Sequence, residues 1–226
     1  MNKKILTASI AAALLLSGCG KTGTAQQTAA PVMPEASPAA VETPAPAVTE
    51  TPAPVQTVPQ RQDGERFETT IILEGMEEKV RYEHIRDEAL GFEMDYDYES
   101  FNRVRDADRE RFISIYDTPE NPVDYLEVYA STDDAETAAA AIRAALSQDY
   151  EARQDSFQLE RAGTCIRIHG DEVKGGGYMP EKLQMVYVIP APDGCRIATE
   201  HYRIEDSEGF GRRFSYLMHT FSVLPR

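Results

Sequence analysis

Tryptophan is missing from all 226 residues, and neither Phe nor Tyr occurs before Phe67. Ring side chains supply much of a core's apolar area, so nothing ahead of Phe67 has the means to build one. Basic residues are also scarce. Lys and Arg number 23 against 38 Asp and Glu, a formal charge of −15. That balance argues against a grip on nucleic-acid phosphates and against charge-driven adhesion to anionic lipid. No long apolar run is present either. Ile5 to Leu16 is free of charge, but at about twelve residues it falls well short of the roughly 20 that a membrane-spanning helix needs. Missing too are the GxSxG, HExxH, P-loop and Rossmann glycine signatures. Lys174-Gly175-Gly176-Gly177 lacks the Gly-Lys-Ser/Thr ending that would cradle a phosphate, and reads as a hairpin tip.

What is there begins with an address. Lys3 and Lys4 precede the charge-free run, which leads into Leu16-Ser17-Gly18-Cys19. A basic start, a short apolar stretch and small residues are the pattern of a secretory signal. The LSGC string resembles the lipobox of bacterial lipoproteins. The resemblance implies that residues 1–18 are a signal peptide, that the Cys19 thiol takes a diacylglyceryl group, and that cleavage leaves Cys19 as the lipidated N-terminus. Two or more acyl chains hold a protein stably, at about 0.8 kcal/mol per buried CH₂. The expected location is the extracytoplasmic face of the cell membrane. Losing Lys3 and Lys4 takes the formal charge from −15 to −17, so the partners expected are basic proteins or cationic ligands.

From Cys19 to residue 65 the chain is rich in Pro, Ala and Thr; eight of its 14 prolines lie here and ETPAP occurs twice, from Glu42 and from Glu50. Such a segment cannot offset its chain entropy by burial. It is expected to be a disordered, semi-stiff tether, dispensable for folding. About 46 residues at ~3.1 Å each would reach on the order of 140 Å.

The texture changes at Arg66, and residues 66–226 are expected to form one globular domain. Phe67 to Leu73 and Glu78 to Ile85 flank Gly75 and predict a hairpin. From Gly91 to Tyr98 the chain alternates, which sets Phe92, Met94, Tyr96 and Tyr98 on one face and Glu93, Asp95 and Asp97 on an opposite, wet face. Phe112–Tyr116 and Tyr125–Ala130 repeat the strand signal. Ser131 to Asp134 can cap a helix whose stripe is Ala138, Ala141, Ile142, Ala145 and Leu146. Three strands follow near Thr164–His169, Leu183–Ile189 and Cys195–Ile204, the middle one apolar enough to be covered on both faces. A last helix begins after Asp206 or Ser207 and carries Phe210, Phe214, Leu217 and Phe221. This order predicts an α+β fold with a mainly antiparallel sheet and helices packed on it. Leu90 to Phe101 (LGFEMDYDYESF), the mid-chain helix and Glu208 to Leu224 (EGFGRRFSYLMHTFSVL) resemble the Mog1/PsbP-like fold, an α/β/α sandwich. The resemblance implies a binding or assembly module rather than an enzyme. The hairpin ahead of Asp87 departs from that pattern.

Chemistry is sparse. Asp95, Asp97 and Glu99 begin like a calcium loop, but the sixth position is Ser100 rather than Gly and the twelfth is Asp106 rather than Glu. The histidines, His84, His169, His201 and His219, are scattered. His219 reads as a core-edge residue, and only His169 and His201 are placed to meet, across one strand, as a zinc pair. Cys165 and Cys195 are even in number once Cys19 is set aside, which favours a disulfide in an oxidising compartment. A meander would instead hold them two strand spacings, about 9.6 Å, apart, beyond the ~7 Å that a disulfide spans. Lipidation at Cys19 is the one site assigned; no catalytic, cofactor-binding or metal residue is. Two readings follow. One is a non-catalytic binding or assembly domain carried on a lipid-anchored tether. The other is an envelope hydrolase using paired carboxylates such as Glu93 with Asp95 or Asp171 with Glu172.

Overall fold

Strand β3 (Phe92–Asp97) is an inner strand of a small sheet and packs its apolar face into the main core, against a larger sheet. The structure, a computed structural model of the whole chain, describes residues 61–171 and 182–225. The expected signal peptide, Cys19, the expected tether up to residue 60 and the Lys174–Gly177 glycine run lie outside the described residues.

The chain enters through β1 (Arg66–Leu73) and β2 (Met76–Asp87), turning at Glu74 and Gly75, whose φ values of 51° and 78° make the two-residue turn that matches strand twist. These strands, β3 and the short β11 (Ser222–Val223) form the small sheet, in the order β1-β2-β3-β11. The large sheet holds β4 (Phe101–Arg105), β5 (Arg109–Ser114), β6 (Tyr125–Ser131), β7 (Arg153–Leu159), β8 (Gly163–Gly170), β9 (Lys182–Ala191) and β10 (Gly194–Arg203). Their spatial order is β4-β5-β6-β10-β9-β8-β7, and every pairing is antiparallel. Helix α1 (Ala135–Leu146) covers one face; α2 (Arg212–Thr220) and the small sheet cover the other. The α+β class is therefore as expected, but the single sheet is not: the hairpin and β3 form a second sheet that shares an outer layer with α2.

Interior strands fall where the apolar pattern puts them. Val186, Tyr187, Val188 and Ile189 of β9 are all buried, facing alternate sides. The strands without a sequence signal, β4 and β7, are the edges of the large sheet, where polar residues are tolerated and useful. Helix α1 starts as expected, with Asp134 accepting from Thr137 N at 2.9 Å, but its stripe is turned. Ala138, Ala139, Ile142 and Leu146 pack on the sheet, whereas Ala141 and Ala145 are exposed. A run of alanines has no bulk with which to choose a face.

The wet face assigned to β3 is the clearest correction. Phe92, Met94 and Tyr96 pack into the main core, with Phe92 stacked on Phe221 at 5.3 Å. On the other side Asp95 and Asp97 are equally buried, at 1% and 2% exposure. Asp95 meets His84 Nδ1 at 2.6 Å and Arg61 at 3.1 Å; Asp97 meets Arg213 at 2.9 Å. The arginines replace the water that these acids would otherwise require. Asp97 also accepts from Ser100, and Glu99 pairs with Arg81, so the calcium-like acids are engaged by the protein itself. The pairing with Arg61, and hydrogen bonds of Gly64 and Glu65 to the His84 backbone, make residues 61–65 part of the domain rather than of the tether.

Both thiols are buried and unpaired. Cys195 lies opposite Pro190, and the β8–β9 register sets Cys165 beside Ile189, so the two flank β9. They also face opposite ways, Cys165 into the main core and Cys195 under α1. Burial pushes the Cys165 thiol up to about 11, which leaves little thiolate to react.

Arg196 is wholly buried and ties the layers together. Its Nε donates to the Gly91 carbonyl at 3.3 Å, and its Nη2 to Asp193 at 2.7 Å. Gly91 has φ 72°, and a Cβ there would lie 2.4 Å from Arg196 Nη2. Gly91→Ala is expected to cost about 3 kcal/mol or more, because backbone strain adds to the displacement of a buried charge. At ~2–4 °C per kcal/mol, thermal unfolding should show a midpoint lower by at least about 6 °C. Alkylating the denatured protein without reductant should label both Cys165 and Cys195, as read by intact mass.

Candidate functional site

A cleft of about 700 Å³ opens on the face of the large sheet away from α1, within the usual range for small-ligand sites. Its floor comes from three adjacent strands: Arg167 of β8, Met185 and Tyr187 of β9, and Glu200 and Tyr202 of β10. Period-2 alternation puts these on one face, and the antiparallel register sets His169, Met185 and Glu200 in one row, with Arg167, Tyr187 and Ala198 in the next. One wall is the β1–β2 hairpin tip, with Ile72, Glu74 and Gly75; the other is the segment from Ser207 to Ser215. That segment runs through a π-turn, Ser207–Gly211, into α2. Gly211 packs flat on the Tyr202 ring, where a Cβ would lie 3.1 Å from Cε2. Tyr216 clamps the hairpin to α2, accepting from Ile72 N at 2.9 Å and donating to Ile72 O at 3.2 Å. The hairpin that departs from the Mog1/PsbP-like pattern thus builds one side of the cleft.

The chemistry of the floor centres on Glu200. Five other buried carboxylates each meet an arginine among the described residues: Asp87 with Arg105 at 3.1 Å, Asp95 with Arg61 at 3.1 Å, Asp97 with Arg213 at 2.9 Å, Glu110 with Arg103 at 2.6 Å and Asp124 with Arg203 at 3.1 Å. Glu200 is just as buried, at 2% exposure. The Tyr187 hydroxyl acts on it from the neighbouring strand, and its Oε1 has no partner among the described residues. Arg167 does not fill that role, because its guanidinium is committed to Asp155 at 2.6 and 3.0 Å. Burial pushes the Glu200 carboxyl up to about 8, against the smaller opposing pull of Tyr187 and Arg167. Burial and the Glu200 charge in turn push Tyr202 up to about 12.

The residues singled out from the sequence lie elsewhere. Glu93 and Asp95 do share a side of β3, but Arg86 holds Glu93 at 2.9 Å and Arg61 and His84 hold Asp95, which leaves no acid/base pair. Asp171 accepts from Arg153 at 2.8 Å, and Glu172 lies outside the described residues. His169 and His201 do not meet. His169 lies on the cleft face, 3.5 Å from Asp155, while His201 lies on the opposite face, stacked on Tyr125 at 4.2 Å. His219 is more than half exposed, at 55%, rather than at the edge of the core. Glu200 carries no signal in the sequence: it shares one strand face with Arg196, Ala198 and Tyr202, and nothing local separates an acid buried there from one beside water. Among the described residues the cleft lining has one buried carboxyl, two exposed ones (Glu74 and Glu208), and neither histidine nor cysteine.

No protein-family model matches the chain, and no curated protein matches it. Several solved structures are similar in backbone. One is the solution structure of cyanobacterial PsbP (CyanoP) from Synechocystis sp. PCC 6803, at 12% identity and a TM-score of 0.46, covering 63% of this chain and 92% of that one. Another is a crystal structure from Bacteroides thetaiotaomicron VPI-5482, at 14% identity and a TM-score of 0.38, covering 60% of this chain and 46% of that one. A third is LpqN, involved in cell envelope biogenesis of Mycobacterium tuberculosis, at 8% identity and a TM-score of 0.32, covering 73% and 87%. The α+β assignment stands on the strand order itself.

A carboxyl whose folded pKa is raised favours the folded state fully below its unfolded value, and that advantage is lost as pH rises toward the folded value. For Glu200 the window runs from about 4.5 to about 8. Glu200→Gln does not titrate. Its stability relative to the wild type should therefore grow between pH 5 and pH 8, by up to about 1.4 kcal/mol per pH unit, in denaturant unfolding at matched ionic strength.

Proposed function

We propose that this protein is a lipid-anchored envelope lipoprotein whose Mog1/PsbP-like domain binds a ligand in the Glu200 cleft and performs no catalysis on it. The observation that carries the binding reading is the Oε1 of Glu200, which has no partner among the described residues and belongs to the floor of the cleft, whereas the other buried acids among those residues each meet an arginine. The LSGC string at Leu16–Cys19 and the Pro-rich stretch behind it support the anchor and the tether. The tether lets the cleft sample a volume away from the membrane, and the acidic chain stays off an anionic lipid surface.

Each half of the reading has its own test. Replacing Cys19 with Ala should move the protein from the membrane to the soluble fraction and abolish acyl labelling; retention with labelling intact refutes the anchor. For the cleft, the full chain in non-ionic detergent is incubated with a small-molecule envelope extract, washed and denatured, and the released compounds are identified by mass spectrometry. Ser215→Trp, which places an indole in the cleft, should lose what the wild type retains. Equal retention by both, or none by either, shows that the cleft is not the binding site.

A further inference from the structure

We infer that the ligand group seated against Glu200 is a primary ammonium on a flexible chain. This inference rests on the reading of the cleft as a binding site and gives it a chemical class. Elsewhere among the described residues a buried carboxylate is matched by an arginine; Glu200 meets none among them, and it lines the cleft. The Glu200 oxygen buried without a hydrogen-bond partner among the described residues is Oε1. One vacant oxygen suits an ammonium, which acts as a point charge. A guanidinium fork would seek both oxygens. A quaternary ammonium would seek open aromatic faces, and Tyr187 and Tyr202 are only 4% and 9% exposed. The mouth agrees in sign: Glu74 and Glu208 are exposed there with no ion pair among the described residues, against Arg212 alone. Met185 stands directly opposite Glu200 in the β9–β10 ladder. Its unbranched side chain can change rotamer to admit the ammonium to the buried oxygen.

An ammonium pairs with the ionised carboxyl, so binding must strengthen as pH rises. The titratable and charged groups that line the cleft with Glu200 are Arg167 from β8, Tyr187 from β9, Tyr202 on its own strand, Glu74 from the hairpin, Glu208 from the segment before α2 and Arg212 at the start of α2, with His169 in the same row two strands away. Glu200→Gln keeps all of these, His169 included, and so isolates the Glu200 contribution.

The test is calorimetric titration of the full chain in non-ionic detergent with 1,5-diaminopentane, and with 1,5-pentanediol as a neutral probe of the same length. Nα-acetyl-lysine in a further arm separates an amino-acid side chain from a free diamine as the source. The diamine should bind saturably at pH 9. Its apparent affinity should fall about 10-fold at pH 7 and about 100-fold at pH 6, following the ionised fraction of a carboxyl near 8. The diol should not bind, and Glu200→Gln should lose at least about 10-fold at pH 9 together with most of the pH dependence. If the diol binds as well as the diamine, the cleft is a binding site but the ammonium inference is wrong. A diamine affinity flat between pH 6 and pH 9 overturns it in the wild type without any variant. If neither probe binds while extract compounds are still retained through the cleft, the inference fails and the binding reading survives; if nothing is retained either, both fail.

Discussion

The strand Phe92–Asp97 is buried on both sides, and the two sides are satisfied by different physics. Toward the large sheet it presents Phe92, Met94 and Tyr96, whose burial supplies non-directional hydrophobic stabilisation. Toward the other side it presents Asp95 and Asp97, which can be buried only if cations come with them. Arg61, Arg161 and Arg213 supply that charge and His84 adds a ring-nitrogen contact, from four separate places in the chain. The entry segment, the hairpin, the β7–β8 turn and α2 are therefore held in position by one pair of aspartates. The Gly91 carbonyl at the head of this strand accepts from both Arg196 and Leu224, which pins the large sheet and the C-terminus to the same point.

Against that background Glu200 is an exception with a consequence. Among the described residues, a fold that buries acids repeatedly and gives them arginines has one buried acid without an arginine, and it sits in the floor of the cleft. An unsatisfied buried carboxyl lowers stability at neutral pH. Functional sites are where such a cost persists. The cleft owes its walls to parts that look peripheral. The hairpin tip and the π-turn ahead of α2 bury little themselves, yet Tyr216 locks one to the other and leaves the space between them open.

The two edge strands and the turned face of α1 show how far local pattern reaches. Interior strands announce themselves because both faces must be apolar, and β9 was legible for that reason. Arg153–Leu159 was not, because an edge strand with one exposed face has no need of apolar alternation. Alternation also gave the correct partition of the Phe92–Asp97 strand into two faces but not the environment of each, since Asp95 beside water and Asp95 beside Arg61 look alike in sequence. The cysteines were tractable because meander register is set by turn length, which is local.

By itself, then, the sequence determined the acidic charge, the aromatic-free N-terminal stretch, the positions of the interior strands and both helices, and the α+β class. All of these are written in composition and in periods of two or 3.6 residues. Only the tertiary structure decided that the strands divide into two sheets, that an acidic face lies inside, and that Glu200, alone among the buried acids of the described residues, lacks an arginine. Those facts depend on which arginine reaches which carboxylate across separations such as the 116 residues from Asp97 to Arg213. Long-range ion pairing follows from how layers stack, and no local window of the chain contains it.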